Sequence, residues 1–230
     1  ELKMQEADID AAAFKKVGYP LDAFGQKTYN GVATILRDPL TFLPDEEVRN
    51  IPGFEDPQSR LLATTVQVGS EKLRVINGYF PNGETVESEK FPYKLAWLEA
   101  LVQWLPSQLE EYPNLVLLGD FNIAPEDRDV WDPESWAESV LCTPKAREAF
   151  QRLIDLGLTD SFRVFEQPEK SYSWWDYRMM AFRRNRGLRI DHILISEALA
   201  SKNLGVEIHK KVRGNERPSD HAPVTLTLDL

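Results

Sequence analysis

A carboxylate and an amide, Asp120 and Asn122, directly follow an apolar run at residues 115–119. A rigid sheet presents functional groups at its strand ends, and residues two apart on an extended chain point the same way. The spacing therefore predicts an acid and an amide that face one pocket. A simple turn is the alternative, because Gly-Asp and Asn are ordinary strand terminators.

Two further segments add acids and an imidazole. Asp191 lies at the entrance of another apolar run, where a helix cap or a surface acid is the alternative. Asp220 and His221 precede the last apolar run and offer a hard anionic oxygen and an imidazole that can be charged or neutral near pH 7. A surface loop is the alternative for this pair. His192 and His209 are predicted to be structural or solvated.

These side chains need a scaffold, and the apolar pattern predicts a sheet with helices. The predicted strands are short and rich in β-branched or aliphatic residues, and they cover residues 29–36, 61–68, 73–80, 115–119, 190–196 and 224–228. Amphipathic helices are predicted at 93–109 and 144–156, the second with Thr143 as N-cap and Pro144 at its first position. Asn-Gly pairs at Asn30, Asn77 and Asn82 predict tight turns. The fold class is α/β.

Composition limits the kind of protein. A chain of 230 residues with 42% hydrophobic residues fits one domain, 1–230, with a single large core. The single cysteine, Cys142, excludes an internal disulfide and agrees with a cytoplasmic protein. No apolar run is long enough to span a membrane, so no membrane association is predicted. The net charge of −10 argues against non-specific nucleic-acid binding over the whole surface, but not against a local basic groove.

One local patch suits nucleic acid. Residues 178–189 hold five arginines and no acidic residue, and aromatic and methionine side chains adjoin them. These neighbours are Trp174, Trp175, Tyr177, Met179 and Met180. The tryptophans are either part of a binding surface or core aromatics. An acidic stretch broken by prolines, 126–138, is predicted to be a solvated loop or an irregular excursion.

Taken together and in this order, the motifs resemble the exonuclease III family of abasic-site endonucleases, within the superfamily of endonucleases, exonucleases and phosphatases. The matching segments are Glu1, in the place of the family's Gln-Glu motif, and residues 29–33, 75–81, 119–122, 172–177, 185–191 and 219–223. Gly-Asp-x-Asn alone is a weak signal, whereas the ordered set is specific. The resemblance implies a four-layered α/β sandwich of two mostly antiparallel sheets flanked by helices.

The resemblance also implies a metal and its ligands. Glu1 would be a carboxylate ligand of Mg²⁺ or Mn²⁺, and Asp220 an acidic group near that ion. Oxygen ligands suit a hard cation, and the sequence has no cluster of Cys and His for zinc. The family's first strand, which precedes the Gln-Glu motif, has no counterpart here, so we expect the chain to be amino-terminally incomplete.

The remaining catalytic roles are likewise implied by the resemblance. Asp120 would align and deprotonate the attacking water, with Asn122 holding Asp120 in place. His221, oriented by Asp191, would lie against the scissile phosphate. Tyr79 and Asn82 would hydrogen-bond that phosphate. Phosphodiester cleavage needs this division, because charge builds on the phosphate and the leaving oxygen while a base acts on the opposite, in-line side.

The implied substrate is double-stranded DNA with abasic sites or blocked 3′ ends. A monomeric enzyme would cleave it 5′ to abasic sites and would also have 3′ to 5′ exonuclease and 3′-end processing activity. A pocket of Trp174, Leu188 and Ile190 would accept a sugar that has lost its base. Arg178 and the arginines after it would grip a distorted duplex. Two alternatives stay open, a phosphatase for phosphoinositides or other small phosphoesters and a catalytically impaired DNA-binding fragment.

Overall fold

The computed structural model describes all 230 residues. The strands are β1 (Leu21–Phe24), β2 (Val32–Ile35), β3 (Thr41–Phe42), β4 (Val48–Arg49), β5 (Leu61–Val68), β6 (Glu71–Tyr79), β7 (Leu115–Asp120), β8 (Leu158–Asp160), β9 (Asp191–Ser196), β10 (Asn203–Ile208) and β11 (Val224–Leu228). The α-helices are α1 (Ala11–Lys16), α2 (Lys90–Glu111), α3 (Pro133–Trp136), α4 (Pro144–Asp155) and α5 (Glu197–Ala200). Short 3-10 helices cover Glu6–Asp8, Pro44–Glu46, Asp127–Asp129, Ser161–Val164 and Lys210–Gly214.

A seven-stranded mixed sheet forms the centre of the molecule. Its strand order is β3-β5-β6-β7-β9-β8, and β4 also pairs with β5. Only β6 and β7 run parallel, joined through α2, and the other pairs are antiparallel. Two antiparallel ribbons, β1–β2 and β10–β11, contact the sheet at β5–β6 and at β9. The predicted α/β sandwich is confirmed, with the second sheet divided into these two ribbons.

The middle strands are apolar on both faces, because each face packs on another layer. Leu115 and Leu117 of β7 are fully buried in the large cluster that α2 and α4 complete. Val116, between them, lies in a second cluster with residues of β9 and the β10–β11 ribbon. Strands buried on both sides read as continuous apolar runs, which is why β7 was predictable.

Helix α4 begins as its sequence predicts. The Thr143 side chain accepts a hydrogen bond from the Ala146 backbone N–H at 3.3 Å, and Pro144 occupies the first helical position. Proline costs little there because its missing N–H would have had no intrahelical partner. Helix α2 extends the predicted range at both ends. No helix in the structure is both long and apolar enough to cross a membrane.

The turn predicted at Asn77 is wrong. Asn77 lies inside β6, paired with Leu62 of β5, and its side-chain amide donates to the Ala33 carbonyl at 2.9 Å. Gly119 of β7 allows the close approach of β6, because a Cβ on Gly119 would lie 1.8 Å from the Gly78 carbonyl oxygen. The first predicted strand also begins late, since Asn30 has a φ of 61° and turns the chain before Val32.

Candidate active site

A cavity of about 820 Å³ opens where β6 and β7 end and β9 begins. Ten of the twelve residues predicted for the site line it, namely Glu1, Tyr79, Asn82, Asp120, Asn122, Trp174, Ile190, Asp191, Asp220 and His221. Arg178 and Leu188 do not. Segments far apart in sequence thus meet at one end of the sheet.

Asp120 and Asn122 form a hydrogen-bonded corner. The Asn122 backbone N–H donates to Asp120 Oδ1 at 2.8 Å, and its side-chain Nδ2 donates to Asp120 Oδ2 at 3.1 Å. Asn82 Nδ2 donates in turn to Asn122 Oδ1 at 2.8 Å. Asn122 has a φ of 50°, so the two side chains meet through a left-handed turn and not through the extended spacing expected from the sequence. The left-handed turn at Asn122 is therefore part of the site.

His221 lies between two carboxylates. Its Nδ1 is 2.9 Å from Asp191 Oδ2 and 3.0 Å from Asp191 Oδ1, and its Nε2 is 3.9 Å from Asp120 Oδ2. Ser173 fixes the start of β9, because its hydroxyl oxygen accepts from the Asp191 backbone N–H at 3.1 Å. Burial acts to lower the pKa of His221, but Asp191 and the neighbouring acids outweigh it and raise the pKa to about 9. The ring is therefore a cation at neutral pH.

Burial and neighbouring charges also determine the pKa of Asp120, but here burial raises the pKa. Burial and the negative charge of Asp191 raise the pKa of Asp120 to about 7, against the lowering effects of His221, the Asn122 N–H and Lys94. A carboxyl group that titrates near the working pH can take a proton from water and release it again. The pair thus places a proton acceptor and a cation next to each other in one cavity.

Tyr79 ends β6 next to this pair. Burial raises the pKa of Tyr79, and the charges of Glu1, Asp120 and Asp220 raise it further, so the hydroxyl keeps its proton. Arg60 supports the residue, because its Nη1 donates to the Tyr79 carbonyl at 3.0 Å and its guanidinium lies 5.0 Å from the ring centre. A neutral phenol in this position is a hydrogen-bond donor for an anion.

The oxygen donors suit a hydrated hard cation. Glu1 and Asp220 both line the cavity, and Trp174 Nε1 donates to Asp220 Oδ2 at 2.9 Å. No three His, Cys, Asp or Glu side chains come together as a metal cage. Mg²⁺ is commonly held by one or two carboxylates with waters and substrate phosphates, so two carboxylates facing an open cavity fit it. Lys3 lies 3.3 Å from Glu1 Oε2 and is the competing cation.

The predicted apolar pocket is only partly exposed to the cavity. Trp174 and Ile190 line it, whereas Leu188 is fully buried behind them. Leu188 acts through its backbone, which exchanges two hydrogen bonds of 2.9 Å with Trp174. The prediction that Leu188 contacts the substrate is therefore corrected. Its side chain belongs to the apolar cluster that supports Trp174. Trp175 is fully buried and is a core aromatic.

The arginine segment separates into exposed and buried members. Arg178, Arg183 and Arg184 are exposed, and Arg186 lies over the Trp131 ring at 4.7 Å. Arg189 is 1% exposed, and its ion pairs with Asp129 and Asp160 make it unavailable to DNA. Of the arginines predicted to bind the duplex, Arg189 is therefore excluded and those before it remain available. Arg178 lies outside the cavity.

Sequence reasoning missed the buried polar groups behind the site. Lys94 is fully buried and donates to three backbone carbonyls, and burial lowers its pKa to about 7. Nothing in the sequence distinguishes it from an ordinary helix-surface lysine. His192 is structural as predicted, since it is 2% exposed and bonded to Arg189 and the Ile123 carbonyl. His209 lies at the surface near Glu207.

Comparison with known proteins identifies the family and the fold. A family model described as the Endonuclease/Exonuclease/phosphatase family matches residues 1–221. Exodeoxyribonuclease III of Haemophilus influenzae is 36% identical over 97% of this chain and 86% of its own length. The structure of a 3′ phosphatase, NExo, from Neisseria bound to a product DNA hairpin is 44% identical, with a TM-score of 0.93 over 99% of this chain and 86% of that one.

A third relative extends the match to an archaeon. The structure of an AP endonuclease from Archaeoglobus fulgidus is 31% identical, with a TM-score of 0.89 over 99% of this chain and 86% of that chain. The family match covers nearly the whole chain, and these likenesses run across the same fold. The chain belongs to the endonuclease/exonuclease/phosphatase family and, within it, to the exonuclease III family of nucleases, which hydrolyse phosphodiester bonds.

Proposed function

We propose that this protein is a Mg²⁺-dependent DNA-repair phosphodiesterase that cleaves duplex DNA on the 5′ side of abasic sites and processes blocked 3′ ends, acting as a cytoplasmic monomer. One observation carries the proposal. The His221 imidazolium and the Asp120 carboxylate lie side by side in the cavity wall, with 3.9 Å between Nε2 and Oδ2, so that a cation and a base are offered to one substrate. In-line hydrolysis of a phosphodiester needs these two groups around one phosphorus atom.

Asp120 is the general base of the proposed reaction. Its two oxygens accept hydrogen bonds from Asn122, so the carboxylate cannot rotate away from the cavity. The pKa near 7, raised by burial and by Asp191, lets the carboxylate accept a proton from the attacking water at neutral pH. Holding base and water in one geometry removes much of the entropic barrier.

His221, Tyr79 and Asn82 bind the scissile phosphate. The His221 cation and the Tyr79 hydroxyl donate to non-bridging oxygens, where negative charge grows. Asp191 keeps Nδ1 of His221 occupied, so Nε2 is the nitrogen that faces substrate. Glu1 and Asp220 would hold Mg²⁺, which when bound would supply Lewis-acid stabilisation of that charge, and Mn²⁺ has similar ligand preferences.

The substrate class follows from the cavity wall and the neighbouring surface. Trp174 and Ile190 offer an apolar wall beside the polar groups, which suits a sugar without its base. The exposed arginines after it suit the phosphates of a duplex. The Neisseria 3′ phosphatase with its product hairpin and the Haemophilus exodeoxyribonuclease III support DNA and the processing of 3′ ends. A small phosphoester would leave this surface unused.

The test compares three substrates with and without Mg²⁺. They are a duplex with one abasic analogue, a duplex with a 3′ phosphate, and a soluble inositol phosphate. We expect Mg²⁺-dependent turnover of both duplexes and none of the inositol phosphate, and an Asp120→Asn control that cleaves both duplexes at least about 100-fold more slowly. Turnover of the inositol phosphate alone would contradict the proposal, as would duplex cleavage that survives EDTA unchanged.

A further inference from the structure

Lys94 is a charged side chain without exposure in the middle of the molecule. It lies in the first turns of α2 and is 0% exposed. Its Nζ donates to the backbone carbonyls of Asn122 at 2.7 Å, Val140 at 2.9 Å and Asn82 at 3.2 Å. An ammonium group has three donors, so all of them are used by main-chain acceptors.

Burial of this charge is unfavourable in itself. Lysine is almost never fully buried unless it is paired, because removing an ammonium from water is strongly unfavourable. The aliphatic stem of Lys94 packs closely on Gly83, because a Cβ added to Gly83 would lie only 3.2 Å from Lys94 Cδ. An aliphatic side chain in the same space would keep this packing, and that against Val140, without burying a charge. The charged end must therefore contribute something that packing does not.

The three carbonyls belong to three separate segments that carry the site. Asn82 and Asn122 line the cavity, and Val140 precedes Leu141, which also lines it. Asn82 and Asn122 are further joined by their side-chain hydrogen bond of 2.8 Å. One ammonium thus joins the chain after β6, the corner after β7 and the segment before α4 directly behind the cavity.

The shortest of these bonds is to a strained residue. Asn122 has a φ of 50°, in the left-handed region of backbone conformation that residues other than glycine adopt uncommonly. Its carbonyl accepts from Lys94 while its N–H and side-chain amide donate to Asp120. A bond to the carbonyl fixes the peptide plane after Asn122 and so favours the conformation in which both donors meet the carboxylate.

We propose that Lys94 is a positioning residue for the proposed hydrolysis, which holds Asn82 and Asn122 so that the Asp120 carboxylate stays in its reacting orientation. This inference rests on the proposed function, because it concerns the same site. Lys94 does not reach the cavity and contacts no substrate. It acts on the rate through the two asparagines and the carboxylate that they hold.

The main test is Lys94→Met, which keeps the aliphatic stem and removes the charge and the donors. We expect kcat for the abasic duplex to fall by about 10- to 100-fold, the loss expected from a misplaced reacting group. The Kd for that duplex should be unchanged, because the exposed arginines remain. Leu105→Ala is the matched control, since Leu105 is fully buried on the same helix in the main core. It should lower the urea midpoint and leave kcat near that of the wild type.

A second readout needs no activity. The side-chain amide signals of Asn82 and Asn122 in ¹H–¹⁵N NMR spectra should shift in Lys94→Met and stay in place in Leu105→Ala. An inactive wild-type enzyme would contradict the proposed function and leave this measurement intact. Wild-type kcat together with unshifted amide signals in folded Lys94→Met would overturn the role of Lys94.

Lys94→Ala provides a test if the methionine variant does not fold. The atoms that it removes correspond to propylammonium, so the variant is purified and assayed with propylammonium or with propan-1-ol of nearly the same size. Recovery of kcat with the cation alone supports the proposal. Equal recovery with both compounds overturns it, because packing would then account for the whole effect.

Discussion

At the scale of single residues, the site depends on two neighbouring groups whose proton affinities lie close together. Asp120 and Asp191 are acids on either side of His221, and burial raises the pKa of Asp120 while the two acids raise that of the imidazole. The Asp191 hydrogen bonds decide which ring nitrogen faces Asp120. A cation and a carboxylate can therefore coexist 3.9 Å apart at neutral pH and act on one phosphate.

The first prediction concerns Asp120→Asn. Single-turnover cleavage of an abasic duplex at saturating Mg²⁺ should fall by at least about 100-fold, because the base is lost while the shape is kept. The fold should be retained or slightly stabilised, since the substitution removes a buried negative charge next to Asp191. DNA affinity, measured by fluorescence anisotropy, should not fall. Turnover near the wild-type rate would mean that another residue is the base.

The second prediction concerns Trp174, which we expect to set selectivity more than rate. Trp174→Ala should lower the ratio of cleavage rates on matched abasic and intact duplexes, because it removes the wall that excludes a full nucleotide. The substitution also removes the hydrogen bond to Asp220 Oδ2, so Trp174→Phe is the control. Phenylalanine keeps an aromatic wall without the N–H and should retain the ratio. An unchanged ratio in Trp174→Ala would make Trp174 a supporting core residue.

At the scale of elements, the start of β9 is joined to the corner after β7 by a network of buried polar side chains. Asp129 binds Arg189, Arg189 Nη1 donates to His192 Nδ1 at 2.9 Å, and His192 Nε2 lies 2.8 Å from the Ile123 carbonyl. Because the guanidinium can only donate and the carbonyl can only accept, His192 is the neutral tautomer with its proton on Nε2. The network fixes β9, and hence Asp191, relative to Asn122.

The third prediction concerns the pH dependence of stability that buried His192 produces. Burial, with a further contribution from Arg189, lowers the pKa of His192 from 6.5 to about 3. Below pH 6.5 the unfolded chain binds a proton that the folded protein does not, so stability is lost as pH falls towards 3. One such group removes about 2 kcal/mol of the free energy of unfolding between pH 6.5 and pH 5.

The measurement is urea unfolding at pH 7 and pH 5 for the wild type, His192→Gln and His209→Gln. Glutamine can keep both hydrogen bonds of His192 but does not titrate, so the difference between the two pH values should shrink in that variant. His209 lies at the surface, and its replacement should leave the difference unchanged. Equal pH dependence in all three proteins would show that His192 is not held neutral.

Elements also explain how far the sequence predicts this structure. Three elements can be recognised from the local sequence. Strand β7 is a continuous apolar run, β11 alternates between partly buried and exposed residues, and α4 begins with a cap. Strand β1 is four residues long, and β10 contains Gly205 and a polar start, so neither has a clear pattern. The acids at strand ends were predicted, whereas Lys94 was not, because its burial depends on chain segments that only the folded topology brings onto α2.

At the scale of the whole molecule, charge is unevenly distributed. The net charge is −10, yet Arg178, Arg183 and Arg184 are exposed in a segment without acidic residues beside the cavity. Some exposed cations elsewhere are paired with acids, as Arg152 is with Glu99 on the helix side of the sheet. Exposed apolar side chains, Tyr177, Met179 and Met180, accompany the arginines. DNA bound at the cavity would contact this surface while the remaining acidic surface repels other polyanions.

The fourth prediction follows from this distribution and concerns salt. Binding of an abasic duplex should weaken steeply with salt despite the negative net charge, because released counterions and not the net charge set the slope. Replacing Arg183 and Arg184 by Gln should lower the slope of log affinity against log salt by up to about 0.9 for each phosphate that the protein no longer neutralises. Arg152→Gln removes the same kind of charge from the helix side and should leave the slope unchanged. Affinities are measured over a range of NaCl concentrations with EDTA present, so that cleavage does not interfere. An equal change of slope in both variants would mean that the DNA is attracted by overall charge, and an unchanged slope in the double variant would place the duplex on another surface.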